Sequence, residues 1–377
     1  MNPRRFYAIF RKEAIHILRD KRSLMAALAL PLVLLLMFGY ALTLDVDRVP
    51  TLIYDQDESP ESRTLIAGFE GSRYFTVQRH VTGYLPIERA INDESALLAV
   101  VIRRGFGADI QNGREAFVQI LANGSDSNTA SLAIGYAEAT VQTYALELRA
   151  DAIRKRGVGK LDPPVEPRVR VLYNDELKSK NYIVPGLIAV ILMIISALLT
   201  SLTIAREWEN GTMEQLLSTP VRPLELLLGK LSAFFVVGIA DMLIAIVVGV
   251  FVFKVPLQGN AFLLFLTSCI FLFGALCWGI FLSTVTRSQL LAFQASILSS
   301  FLPAFLLSGF IYAIENMPVV IQVITHIVPA RYFVTILKGI FLKGIGLEIL
   351  WPQVLFLCAY AALLLVIATR KLREKVV

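Results

Sequence analysis

Six apolar runs, each long enough to cross a bilayer, constrain this 377-residue chain more than any other feature of its sequence. Hydrocarbon about 30 Å thick requires roughly 20 mainly apolar residues at about 1.5 Å of helical rise each. The runs at 24–44, 183–205, 230–253, 261–285, 290–313 and 351–369 meet that requirement. They explain a hydrophobic content of 56% and a mean hydropathy of +0.63, above the usual range for a soluble chain. The sequence therefore predicts an α-helical polytopic membrane protein with six transmembrane helices.

The placement of charge sets the orientation, because short loops retain Lys and Arg on the cytoplasmic side. With both termini inside, the cytoplasmic segments hold fifteen Lys and Arg, seven of them in residues 1–22, against four in the short external loops. That bias predicts cytoplasmic termini, and it assigns the net charge of +6 to topology, with no nucleic-acid partner. Residues 1–23 read as an amphipathic helix on the inner surface, with Phe6, Ile9, Phe10, Ile15, Ile17 and Leu18 set among basic residues. The run at 24–44 (TM1) exceeds the apolar core of a signal peptide and reads as an uncleaved anchor.

Between the first two spans, residues 45–181 carry 17 Lys/Arg and 20 Asp/Glu, so a water-soluble extracytoplasmic α/β domain is predicted there. Strand candidates are 49–54, 74–79, 96–102, 116–121 and 168–173. Ser59-Pro60 offers a helix N-cap, Pro86 opens a second short helix, and an amphipathic helix runs over 128–156. His80 has no spacing that pairs it with a nucleophile or metal ligand and reads as a surface histidine. Asp55-Gln56-Asp57-Glu58 lacks the glycine and terminal glutamate of a calcium loop and reads as a solvated turn. Cys269, Cys277 and Cys358 lie in apolar runs without CxxC spacing and read as small core hydrophobes. No catalytic or metal-binding constellation is expected.

The second span runs into Arg206-Glu207-Trp208-Glu209-Asn210-Gly211, where Asn-Gly can break the helix. Thr212-Met213-Glu214-Gln215 then has the form of a capping box, opening a short helix that stops before Pro220. Acidic Glu207, Glu209 and Glu214 beside apolar Met213, Leu216 and Leu217 suit a docking knob, although a plain loop fits the same residues.

These residues, with Tyr182-Ile183-Val184-Pro185-Gly186, Thr219-Pro220, Gly229-Lys230, Met317-Pro318 and Pro329-Ala330-Arg331-Tyr332, resemble type-2 ABC exporter permeases of the multidrug branch. The match extends into the soluble domain through Asp55-Gln56-Asp57, Ser59 to Arg63 and Gly124 to Asn128, covering nearly the whole chain. The resemblance implies a bacterial inner-membrane subunit that exports a drug-like or lipid-like substrate. It implies a separate ABC ATPase holding ATP and Mg, since no G-x-x-x-x-G-K-[ST] phosphate loop is present here. It also implies a dimer with a second copy or a similar permease, and admits a periplasmic adaptor (membrane fusion) protein. Carried onto this chain, it makes 206–222 a coupling segment with Arg206, Glu207, Glu209, Gly211, Thr212, Glu214, Leu217 and Pro220 at the ATPase contact. It makes 182–377 a block of spans TM2–TM6 whose external loop, 314–349, is re-entrant. Tyr312-Ala313 departs from the family, where a proline is expected, so the end of span five is expected to kink less. A different class of protein, a membrane-anchored scaffold or sensor, would need only one or two spans.

Within the spans, Asp241 sits at the centre of the third, where an ionised carboxylate costs about 2.5–3.5 kcal/mol on insertion scales. It reads either as a substrate-path group or as a carboxylate buried against polar partners. Gln294 and Ser299 in the fifth span are further path candidates, although Ser is also common in helix packing.

Overall fold

The computed structural model of the chain describes residues 2–42, 48–155 and 178–374. In chain order the elements are α1 (Pro3–Arg19), α2 (Lys21–Ala41), β1 (Val49–Asp55), α3 (Pro60–Glu70), β2 (Phe75–His80), α4 (Tyr84–Asn92), β3 (Leu98–Ile102), α5 (Phe106–Gln111), β4 (Val118–Ala122) and α6 (Ser127–Lys155). Then follow α7 (Ser179–Glu209), α8 (Thr212–Leu217), α9 (Pro223–Val247), α10 (Ala261–Thr286), α11 (Gln289–Leu306), α12 (Val319–Thr325), α13 (Pro329–Lys338) and α14 (Leu347–Glu374). They form two compact units, one of Met1–Thr43 with Val171–Val377 and one of Leu44–Arg170.

The smaller unit is built on a four-stranded sheet in the order β2-β1-β3-β4, parallel except for the antiparallel pair β3 and β4. Strand β3 is buried on both faces, as its unbroken Leu-Ala-Val-Val-Ile run requires. Val100 and Ile102 pack toward α3, α5 and α6, and Ala99 and Val101 pack with Ile87 of α4 on the other side. Ser59 caps α3 as the sequence predicts, its Oγ accepting the Ser62 N–H at 3.1 Å. Helix α4 begins two residues before Pro86, and α5 was not foreseen. The strand expected at 168–173 lies outside the described residues.

The acidic turn is more ordered than a solvated turn. Asp57 accepts the N–H groups of Gly105 at 2.6 Å and Gly107 at 2.8 Å, which fixes the entry to α5. Asp55 accepts from Ser62 Oγ at 2.6 Å and from the N–H groups of Asp57 and Glu58. Burial alone would raise the Asp57 carboxyl, but hydrogen bonds from Ser59, Gly107 and Gly105 hold it below the usual aspartate value. His80 is exposed, 3.5 Å from Glu70.

In the larger unit, six helices are long and apolar enough to cross a membrane: Leu24–Ala41, Ser179–Glu209, Pro223–Val252, Ala261–Thr286, Gln289–Leu306 and Leu347–Glu374. Helix α7 is the most buried of these and packs against α2, α9, α10, α11 and α13. It meets α10 so closely that a Cβ at Gly279 would collide with the Ala197 carbonyl and the Thr200 hydroxyl. Thr200 Oγ1 crosses the same seam to Leu276 O at 2.9 Å.

Span five is shorter than expected: α11 ends at Leu306, not near 313. Gly309 turns the chain at φ +75°, and its carbonyl accepts from Tyr182 Oη at 3.1 Å and Lys338 Nζ at 2.9 Å. Those donors satisfy a backbone group that would otherwise be stranded in an apolar setting. Further on, α12 and α13 with its continuation to Lys343 are bent by 84°, the geometry of a broken span or re-entrant loop.

Candidate functional site

The turn at 206–222 is joined to the N-terminal helix by a cluster of four charges. Helix α1 is basic except for Glu13, which faces inward with Ile9. Ile9 seats against Gly229 of α9, where a side chain would have no room. One turn further along α1, Glu13 Oε1 accepts Lys230 Nζ of α9 at 2.8 Å. The same ammonium reaches Glu207 Oε1 of α7 at 2.9 Å. Lys12 completes the set, 3.0 Å from Glu207 Oε1 and 3.4 Å from Glu13 Oε1.

Lys230 is 1% exposed, Glu13 7% and Glu207 8%. Removing charges from water to this extent costs several kcal/mol per ion, so the pairing has to be complete for the joint to hold. Two cations balance two carboxylates in charge, and the contacts run through Glu13 Oε1 and Glu207 Oε1. Burial alone would raise the Glu13 carboxyl, but Lys230 and Lys12 outweigh it and hold the group below its ordinary range. Burial likewise opposes the Lys12 ammonium, and Glu207 and Glu13 raise it above its ordinary value. Two further contacts tie α1 to the start of α9: Asn2 N–H donates to Glu225 Oε1 at 2.6 Å, and Arg5 donates to the Pro220 carbonyl.

Beyond Glu209 the chain breaks at Asn210-Gly211, as the sequence predicts, with Gly211 at φ +70°. The expected capping box does not form. Gly211 itself occupies the N-cap position of α8, so Thr212 enters the helix and its hydroxyl turns back to the Glu207 carbonyl at 3.3 Å. Met213 is fully buried among Ile204, Leu227, Leu231 and Ile280, so it anchors α8 from beneath and is not on the knob's outer face. Glu214, Gln215 and Pro220 are exposed and Leu216 is half-buried. Leu217 ends α8, its side chain lying outside the described residues.

Glu209 is exposed but engaged: its carboxylate accepts the Gln289 N–H at 2.8 Å and Gln289 Nε2 at 2.6 Å, at the start of α11. Arg206 is exposed and reaches the Gln289 side chain at 3.3 Å. Arg287 stacks over Trp208 at 4.6 Å. Thus one end of the bundle gathers α1, the end of α7, α8, the start of α9 and the α10–α11 turn.

The intramembrane candidates are not assembled into one lining. Asp241 is 1% exposed, and neither carboxylate oxygen has a hydrogen-bond partner among the described residues. Its expected polar partners are thus missing. Gln294 is exposed on α11, while Ser299 accepts Trp278 Nε1 at 3.0 Å and donates to Ala295 O. Sequence reasoning overlooked the joint itself. Its signals were Glu13, the lone acid in α1, and Lys230, set in the apolar run that opens α9.

Residues 21–370 match a family described as ABC-2 family transporter protein. The chain is 35% identical to the probable multidrug ABC transporter permease YbhS of Escherichia coli K12, over 99% of this chain and 97% of that one. It is 33% identical to the probable multidrug ABC transporter permease YbhR of the same organism, over 92% of each. The inner membrane transport permease YhhJ is 27% identical over 88% of this chain and 87% of its own length.

Proposed function

The chain belongs to the ABC-2 family of transporter proteins, and from that premise we propose that it is the membrane-spanning permease subunit of an exporter driven by a separate ATPase. One observation carries the coupling part of this reading. Exposed α8 follows directly on the end of α7, which a four-charge joint, buried at Glu13, Glu207 and Lys230, ties to α1 and α9. A short exposed helix on a rigid mount can pass on a push from a partner, because its displacement cannot be absorbed locally.

In this reading the joint lies at the cytoplasmic surface, as the fifteen-to-four charge bias requires, and the α/β unit lies on the far side. Glu214, Gln215 and Pro220 form the outward face that meets the ATPase. Glu207 stands behind that face as the joint's anchor, and Glu209 fixes the start of α11. Two permease subunits line the path, and the cargo is drug-like or lipid-like; the relatives' names, multidrug permeases, support the first of these. This chain does no covalent chemistry.

The test is transport in inside-out vesicles containing the chain and a co-expressed ABC ATPase subunit that copurifies with it. ATP-dependent uptake of a dye such as Hoechst 33342, lost when the ATPase lysine of the phosphate loop is replaced, is the expected result. An intact complex that hydrolyses ATP and moves no amphipathic probe would favour the scaffold or sensor class.

A further inference from the structure

Helices α7 and α11 are tied to each other at both ends, by different chemistry. Glu209, two residues beyond Glu207 of the four-charge joint, holds the start of α11. At the opposite end the fastening is one ammonium. Lys338 Nζ, from the last residue of α13, donates to the Gly309 carbonyl at 2.9 Å and lies 3.3 Å from the centre of the Tyr182 ring of α7. Tyr182 Oη donates to the same carbonyl at 3.1 Å. Gly309 belongs to the turn that follows α11. Its neighbour Phe310 is buried against Gly186 of α7, where a Cβ would collide with the ring.

The groups that hold Lys338 are neutral. Among the described residues its bonded acceptor is a carbonyl, and the Glu315 carboxylate acts on it only at a distance. Parting Lys230 from its partners strands buried charges. Lys338 is only half-buried, and its flexible stem can carry the ammonium back to water once its contacts are withdrawn. Separation there costs a charge-assisted hydrogen bond and a cation–π contact, and leaves no ion without solvent. The flanking segments are built to move. Gly309 has φ +75°, and beyond it the chain forms a single 3-10 turn, Ile314–Asn316, before α12. After Lys338, α13 passes into a π-helical turn, Gly339–Lys343, a break of the kind found at functional hinges.

We propose that Lys338 is a positioning residue, the pin of a releasable clasp that seats the 307–313 turn on α7 and closes the outer end of the seam between α7 and α11. With the pin in place Phe310 stays against Gly186; with it withdrawn the turn lifts at Gly309 and the seam opens. The inner joint transmits and the outer clasp yields. The use of that opening rests on the export reading, whereas the clasp itself needs neither ATPase nor cargo.

The experiment reads the clasp with a thiol. Ser308 is buried and its hydroxyl has no partner among the described residues, so Ser308→Cys places a near-isosteric thiol beside Gly309. The purified full chain is treated with a hydrophilic maleimide, and the same chain with Ser308 intact gives the background from the native cysteines. Labelling at 308 is expected to be slow with Lys338 present and in Lys338→Arg, which keeps a donor and a cation over the ring. In Lys338→Met it is expected to be faster by about tenfold at an unchanged melting temperature, the sign of local opening. Tyr182→Phe keeps the ring and loses one donor to Gly309, so its rate falls between, and it decides the matter if Lys338→Met does not fold. In the complex with a copurified ABC ATPase, vanadate trapping is expected to speed labelling at 308. Equally slow labelling in the folded Lys338→Met and Tyr182→Phe chains overturns the clasp. A complex that transports while 308 stays protected in every nucleotide state overturns its release. A complex that hydrolyses ATP and transports nothing counts against the export reading, and the two variants' rates then judge the clasp alone.

Discussion

Two buried ionisable residues sit eleven positions apart on α9, about three helical turns, and they are treated oppositely. Lys230 is met by Glu13 and Glu207 at 2.8 and 2.9 Å, with Lys12 closing the set. Asp241, equally buried, has no hydrogen-bond partner on either oxygen among the described residues. A matched buried charge fixes the elements that carry its partners, because parting them strands a charge. An unmatched one fixes nothing and weakens the packing around it, so its retention has to be explained by something other than stability. The lower part of α9 is therefore mechanical and the middle part is where a functional group can be sought.

The largest effect that would sharpen this contrast is Lys230→Met. It leaves Glu13 and Glu207 with half-exposed Lys12 as their one remaining cation in the joint, at a cost of about 3–5 kcal/mol. The full chain in detergent should melt earlier, and a nitroxide on exposed position 11 of α1 should become mobile. An unchanged melt and an immobile label would show that the joint holds nothing together. The second change has the opposite sign. Asp241→Leu removes an unsatisfied buried carboxylate and should stabilise by about 1–3 kcal/mol. A lower melting temperature would mean that Asp241 has a partner after all and that the contrast fails.

Acidity offers a smaller, graded effect. The folded Glu13 value lies below its ordinary 4.5, so the joint's contribution from Glu13 is complete above about 4.5 and is lost as the pH falls through the folded value. The folded Lys12 value lies above its ordinary 10.5, so its contribution is complete below 10.5 and lost only at higher pH. The position-11 label should be immobile between these limits and loosen in acid, whereas loosening near neutrality would contradict the pairing. The smallest effect is Thr212→Ala. With no capping box to lose and only a 3.3 Å bond to the Glu207 carbonyl, it should cost about 0.5 kcal/mol. A loss above 1 kcal/mol in the melt would restore the cap.

What the sequence revealed and what it hid follow one physical division. Apolar length is a property of consecutive residues, so all six spans were legible, as were the strands β1 to β4 and the Asn-Gly break. The end of span five was not, because α11 stops where Tyr182 and Lys338 supply donors to the Gly309 carbonyl, and both are remote in sequence. The turn at 206–222 was legible as a helix break followed by a short helix, and the facing of two of its residues was not. Glu207 and Met213 looked like surface residues, since nothing local shows that Lys230 and Lys12 draw the first inward or that the second joins the buried cluster of Ile204, Leu227 and Ile280. Asp55 and Asp57 were legible as a turn, yet their hydrogen bonds to Ser62, Gly105 and Gly107 depend on tertiary approach. Charge count is local information; charge pairing is not.

The central claim is that exposed α8, carried on this joint, is the surface met by the driving ATPase. A cysteine replacing Glu214 in the chain purified with its ATPase tests that claim most directly, with a cysteine at exposed Tyr40 of α2 as the control and a short bifunctional maleimide as the probe. The account predicts a crosslink from 214 to the ATPase whose yield changes when nucleotide is trapped, and none from 40. An intact complex in which 214 stays uncrosslinked in every nucleotide state would contradict it.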